Sequence, residues 1–253
     1  MNSVSGMRFL RSAFRLVRFL AAASAWVLWH GLSRSGRSPA HRSRWAHACA
    51  RSLLAGFGVE LRVEGRPPAE GVVVSNHLGY LDIVVFAAAA PMVFVSKSEV
   101  ARWPGIGFLA RLSGTLFLER ARRSDLARVA AEMRPVVEAG VPVVFYPEGT
   151  STGGDRILPF HAGLFEPAAS QGWKVTPAWI GYEMPEGSVA QEVCYWGTMT
   201  FLPHFLNLLS RTGIVATVRF GEPLPPSSDR KELAASAERA VRLLSRKDAA
   251  EGA

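Results

Sequence analysis

The amino-acid sequence predicts an α/β protein: a mainly parallel sheet flanked by helices, preceded by an N-terminal pair of membrane-interface helices. Three observations lead there. Short apolar runs rich in Val and Ile recur at 72–75, 142–146, 175–182 and 214–220, and read as buried strands. Helical stretches lie between several of them, an alternation that favours parallel strands covered on both faces. Charge is divided unevenly: of a net +8, residues 1–59 hold nine Arg and no Lys, Asp or Glu, leaving 20 basic and 21 acidic residues for the rest. A near-neutral body argues against nucleic acid as a partner. With 253 residues, there is room for one α/β domain with a full core and an appendage. The sequence thus divides into residues 1–56, basic and apolar helices for membrane association, and residues 57–253, the α/β domain.

In chain order, Arg8, Arg11, Arg15 and Arg18 are spaced by three, four and three, one stripe of a helix. Phe9, Leu10, Phe14, Val17 and Leu20 fall largely away from that stripe. Residues 19–32 follow, apolar except for Ser24 and His30 and carrying Trp26 and Trp29. This uncharged run is shorter than the roughly 18–20 residues that span a bilayer, so the segment is expected to lie in or dip into one leaflet. A signal peptide would not continue into further Arg without a cleavage site, and a transit peptide would lack the Trp-bearing run. A nucleic-acid arm would not need an apolar face. A second helix is expected over 40–54, ended by Gly56 and Gly58. A half-buried strand over 59–63, the turn Gly65-Arg66-Pro67-Pro68 and the Val72 strand come next. Then follow a helix over 80–90 stopped by Pro91, strands over 92–95 and 115–118, and a helix capped by Ser124 that runs to Glu138. The strand over 142–146 leads into a polar loop, 148–155. Strands over 175–182 and 214–220 and a closing helix over 230–246 complete the chain. Cys49 and Cys194 match neither a metal-ligand spacing nor a disulfide framework.

Candidate chemistry gathers where strands end. The first run closes in Ser75-Asn76-His77, and Asp82 follows. A neutral imidazole suits proton abstraction, and a carboxylate beside it would fix its tautomer. Positions five apart do not share a helical face, so the pair can meet only with His77 on a turn and Asp82 in the first turn of the next helix. By itself the spacing is also that of a surface histidine near an unrelated aspartate. Two more strands end alike, in Gly114-Thr115-Leu116-Phe117-Leu118-Glu119-Arg120 and Tyr146-Pro147-Glu148-Gly149-Thr150. Parallel strands place their C-termini on one edge, where the three ends can converge. The guanidinium of Arg120 suits a phosphate or carboxylate, and the Gly149 turn offers backbone N–H groups. Neither Ser75 nor Ser151 stands in a nucleophile elbow.

These blocks, in this order, resemble the glycerolipid acyltransferases of the lysophosphatidate type. Asn76-His77 with Asp82 resembles their first block, Gly114, Phe117, Leu118 and Arg120 the second, and Tyr146 to Thr150 the third. Thr176-Pro177-Ala178-Trp179 resembles the fourth, and Lys97-Ser98-Glu99 with Trp103-Pro104-Gly105 the stretch between the first two. The resemblance implies His77 as general base on a lysophospholipid hydroxyl, with Asp82 holding the imidazole. It implies direct attack on the thioester of acyl-CoA or acyl-carrier protein, without an acyl-enzyme and without metal or other cofactor. Arg120 would grip the headgroup phosphate, while Glu148, Gly149, Thr150, Gly114 and Phe117 shape the acceptor site. The expected product is phosphatidate, made from 1-acyl-sn-glycerol-3-phosphate on the cytosolic face of a membrane. One departure bears on the acceptor. The third block often carries Arg after Thr150; here Ser151 follows, and the next cation is Arg156. That leaves room for lyso-ornithine lipid or another non-phosphate acceptor. A non-catalytic lipid-binding protein is the remaining alternative, against which the complete set of His77, Asp82 and Arg120 argues.

Overall fold

The computed structural model describes residues 3–32, 38–103, 105–119 and 123–246. In order the elements are α1 (Ser3–Leu32), α2 (Pro39–Phe57), β1 (Val59–Glu64), β2 (Val72–Ser75), α3 (Leu81–Ala89), β3 (Val93–Lys97), α4 (Ile106–Leu112) and β4 (Leu116–Leu118). Then come α5 (Arg123–Glu138), β5 (Val143–Phe145), α6 (Glu166–Gln171), β6 (Val175–Glu183), α7 (Val189–Glu192), α8 (Phe201–Ser210), β7 (Ile214–Phe220) and α9 (Arg230–Ser245). The α5 helix starts at Arg123, so Ser124 lies inside its first turn instead of capping it.

Seven strands form one sheet in the order β1-β7-β6-β2-β5-β3-β4. β2 lies between β5 and β6, parallel to both, with Val72, Val73 and Val74 wholly buried. A strand enclosed on both faces has no use for alternation, which is why it reads as an unbroken Val run. β7 runs antiparallel to β6, the one antiparallel pairing among the described strands. Helices α1, α2, α3 and α8 pack on one face of the sheet; α5, α6 and α9 pack on the other.

The N-terminal helices join this core. Leu53, Leu54 and Phe57 of α2 pack in the same layer as Phe86 of α3 and Val218 of β7. Gly58 ends α2 with φ 69°, a left-handed cap that returns its N–H to Ala55 O. α1 is a single 30-residue helix whose inner side places Leu16, Phe19, Ala22 and Trp26 against the core. The Arg stripe is partly turned inward. Arg11 donates to Ser210 O at 3.0 Å, and Arg15 to Leu209 O at 3.2 Å and also to Arg211 O. The C-terminal carbonyls of α8 lack helical partners and carry partial negative charge, so two guanidiniums satisfy them. The side of α1 turned away from the protein is apolar: Phe9, Leu10, Phe14 and Val17 are 62–73 % exposed.

Candidate active site

β2 delivers His77 to the sheet edge where the parallel strands end, and the N-terminus of α3 delivers Asp82. The two meet: His77 Nδ1 lies 2.8 Å from Asp82 Oδ2. A carboxylate can only accept, so Nδ1 carries the proton and Nε2 keeps its lone pair. The Leu78 and Gly79 amides also donate to Oδ2, at 2.7 and 3.0 Å, and the Tyr182 hydroxyl donates to Oδ1 at 2.7 Å. Four donors therefore hold a carboxylate with no exposed surface. Such a shell lets a charged group exist in the interior and fixes its orientation.

The third block secures His77 from the other side. Glu148 accepts the His77 amide on Oε1 at 2.8 Å and the Leu158 amide on Oε2 at 2.7 Å. Thr152 N–H returns to His77 O at 3.0 Å, so both backbone polar groups of His77 are tied to the 148–152 loop. Burial pushes the Glu148 carboxyl up to about 7, against the two amides that favour its charged form. Tyr146 stacks under the imidazole, with ring centres 4.1 Å apart and planes 17° apart. Its hydroxyl is buried without a hydrogen-bond partner. Asn76 continues the β2–β6 ladder with its side chain, donating to Ile180 O and accepting from Ile180 N, each at 2.9 Å.

His77 opens into an apolar cavity of about 350 Å³ walled by Phe19, Trp45, Leu53, Tyr80, Phe94 and Phe205, among others. Gly149, Thr150 and Ser151 line it, as do Lys97, Thr115 and Leu118. Gly114 and Phe117 do not: Gly114 (φ 83°) makes the turn after α4, and Phe117 lies half-buried within β4, its carbonyl accepting from Arg128. Arg120 lies outside the described residues. Of the backbone N–H groups of this turn, the Gly149 amide donates to Tyr146 O at 3.2 Å and closes the turn. Cys49 and Cys194 are buried thiols pushed up to about 11 and about 12, mainly by burial, and so are poor nucleophiles.

Sequence reasoning did not reach Tyr182, the Tyr146 stacking or Tyr195. The Tyr195 amide donates to Leu78 O at 2.8 Å, and its carbonyl accepts the Ser151 hydroxyl at 2.6 Å, so one residue links the loop that follows β2 to the loop that follows β5. Gly79 permits this approach: a Cβ there would stand 2.8 Å from the Tyr195 nitrogen. Tyr182 and Tyr195 lie outside the motif blocks, and only the folded arrangement shows what they touch.

The chain is similar to known proteins of one family. The acyltransferase family profile matches residues 60–181. A lyso-ornithine lipid O-acyltransferase of Rhodobacter capsulatus is 40% identical over 201 residues, covering 76% of this chain and 72% of the relative. Another protein of that name, from Pseudomonas aeruginosa, is 33% identical over 94% of this chain and 93% of its own length. A 1-acyl-sn-glycerol-3-phosphate acyltransferase of Neisseria gonorrhoeae is 33% identical over 68% of this chain and 69% of the relative. The solved structure of the 1-acyl-sn-glycerophosphate acyltransferase PlsC from Thermotoga maritima superposes with a TM-score of 0.68 at 19% identity. The match covers 96% of this chain and 98% of that one. At this identity the superposition speaks for the fold.

Proposed function

The chain belongs to the acyltransferase family, an enzyme acting on lysolipids, and from that premise we propose that it moves a fatty acyl group from a thioester to the free hydroxyl of lyso-ornithine lipid. The observation that carries the chemistry is the 2.8 Å contact between His77 Nδ1 and Asp82, which leaves Nε2 as the free base beside the apolar cavity. Nε2 takes the hydroxyl proton as the oxygen attacks the thioester carbonyl carbon. The C–S bond then breaks, and the departing sulfur takes the proton back from the imidazolium. Base assistance of this kind is typically worth ~10²–10⁴ in rate. Asp82 stabilises the imidazolium during the step, and Glu148 keeps His77 seated. The donor is acyl-CoA or acyl-carrier protein, with Arg120 contributing to headgroup binding.

Support for the ornithine headgroup comes from Ser151. Where related third blocks often carry Arg, this side chain is occupied in holding Tyr195. The Rhodobacter and Pseudomonas relatives carry the corresponding name. Lysophosphatidate is the second reading, favoured by Lys97 at the cavity and by the Neisseria relative.

Both acceptors place the enzyme at a membrane, on its cytosolic face where the soluble donor is. The exposed Phe9–Val17 side of α1 suits an interfacial helix lying along the lipid. By length and composition alone, residues Gly6–Trp29 could also cross a bilayer. Packing of Leu16, Phe19, Ala22 and Trp26 against the body supports the lying-down arrangement.

The experiment is turnover by purified full chain in mixed micelles, with each thioester donor and with lyso-ornithine lipid and lysophosphatidate as separate acceptors. The expected result is preferential acylation of lyso-ornithine lipid, lost in His77→Ala. Near-normal turnover by His77→Ala refutes the base assignment, and exclusive use of lysophosphatidate refutes the acceptor.

A further inference from the structure

One wall of the cavity is made of rings. Tyr80 lies 5.4 Å from Tyr195 and 5.2 Å from Phe201, centre to centre. Trp103 lies 5.3 Å from Phe201 and 6.4 Å from Tyr195. All four line the cavity and all are only partly buried, so they offer surface to what enters. Their place beside the chemistry is fixed: Tyr80 is in the loop between His77 and Asp82, and Tyr195 is bonded to Leu78 and Ser151.

The electrostatics of this wall favour a cation. His204 Nε2 faces the Cys194 carbonyl at 2.9 Å and must donate to it, so Nδ1, 2.8 Å from the Tyr80 oxygen, accepts the phenol proton. Burial lowers the pKa of His204 and favours its neutral form, so it brings no competing positive charge. Among the described lining residues there is no carboxylate, and Lys97 is the one ammonium or guanidinium. Among the described lining residues, the broadest electron-rich surface open to a positive group is the negative faces of the aromatic rings, with Trp the strongest partner. A negative group finds Lys97.

We propose that the Tyr80–Trp103–Tyr195–Phe201 wall is the subsite for the headgroup ammonium of the acceptor, with Lys97 receiving its carboxylate. The inference rests on the lyso-ornithine reading. An ornithine headgroup carries an ammonium on a short alkyl arm together with an acid group, whereas lysophosphatidate has no cation to place there. The wall then selects by sign of charge, a task the hydroxyl of Ser151 cannot perform alone.

The test varies the substrate before the protein. Wild-type full chain in mixed micelles is assayed with lyso-ornithine lipid and with the same lipid whose side-chain amine is capped as the acetamide. Capping removes the charge and leaves the reacting hydroxyl. The expected result is a KM about tenfold higher for the capped acceptor, in the range of a desolvated cation–π contact. In Trp103→Leu, the ratio of capped to native KM should fall to about two or three as part of that contact is lost. Circular dichroism matching wild type verifies that this half-buried position tolerates the change. Equal KM values for capped and native lipid in the wild type overturn the subsite while leaving the acceptor reading intact. So does a ratio that Trp103→Leu leaves unchanged. If the wild type acylates lysophosphatidate and neither ornithine lipid, the acceptor reading itself fails and the subsite fails with it.

Discussion

Replacing Tyr182 by Phe removes one oxygen from the shell around Asp82 and nothing else from the site. That oxygen donates to Oδ1 at 2.7 Å, while His77 Nδ1 and the Leu78 and Gly79 amides share Oδ2. A hydrogen bond to a charged group contributes about 1.5–3 kcal/mol. It spreads carboxylate charge that would otherwise act on the imidazolium. If roughly half is transmitted across the carboxylate, the imidazolium of the variant is favoured by about 1 kcal/mol, close to ~0.7 of a pH unit at 1.36 kcal/mol per unit. The sign follows directly. A stronger Asp82 favours the protonated ring, and protonated His77 cannot act as base, so the acid limb of the kcat/KM profile should move to higher pH by ~0.5–1 unit. Activity on the plateau should change less, because the Brønsted gain in base strength offsets some loss of orientation. The assay is kcat/KM from about pH 5 to 9 with one donor and one acceptor, alongside Tyr182→Leu as the packing control. An acid limb that stays in place, or moves to lower pH, refutes the claim that Tyr182 draws on the charge that steadies His77.

Further outcomes follow from other contacts. Glu148, raised from 4.5 to about 7 by burial, binds a proton in the folded state that the unfolded chain has already released between those values. Its contribution to stability is therefore present at low pH and lost as pH rises through about 7, by roughly 3 kcal/mol at 1.36 kcal/mol per unit. In Glu148→Gln, denaturant midpoints at pH 5 and pH 8 should differ less than in the wild type, and turnover should fall because an amide cannot accept on both sides. Asn76→Leu leaves the Ile180 N–H and C=O buried and unpaired, with an expected loss of about 3 kcal/mol in urea unfolding; a loss under 1 kcal/mol would count against the ladder reading. Leu10→Glu, Phe14→Glu and Val17→Glu combined should abolish sedimentation with anionic vesicles while melting stays near wild type, since all three are exposed. Removing residues 1–54 is a poorer probe of membrane binding. It also strips Phe19, Trp45, Cys49 and Leu53 from the cavity wall, so inactivity and aggregation are the expected outcomes.

The strands were legible because burial on both faces writes itself as β-branched runs, and Val72 to Val74 show this plainly. The His77–Asp82 meeting was also legible: a five-residue separation can close only across a strand-turn-helix joint, and β2 and α3 form one. Strand direction was not. Period-two patterning does not distinguish parallel from antiparallel, and the thirty-residue excursion between β6 and β7, which holds α7 and α8, resembles a crossover in length. The inward turn of Arg11 and Arg15 was equally hidden, since it depends on where α8 ends in space. Tyr182 and Tyr195 lacked any local signal. Their partners lie about a hundred positions away for Tyr182, whose phenol looks like ordinary packing until its oxygen is seen, and across two loops for Tyr195, which acts through its backbone N–H and C=O.

The placement of α1 and α9 on opposite sides of the sheet has a practical use. In an enzyme resting on lipid through its first helix, the last helix faces the aqueous compartment, separated by two layers of secondary structure. A fluorophore attached through Ala235→Cys, on the exposed side of α9, would report docking without touching the bilayer. Of the two native thiols, Cys194 is shielded and both are held protonated at neutral pH, while Cys49 lines the cavity, so labelling is compared with the unsubstituted protein.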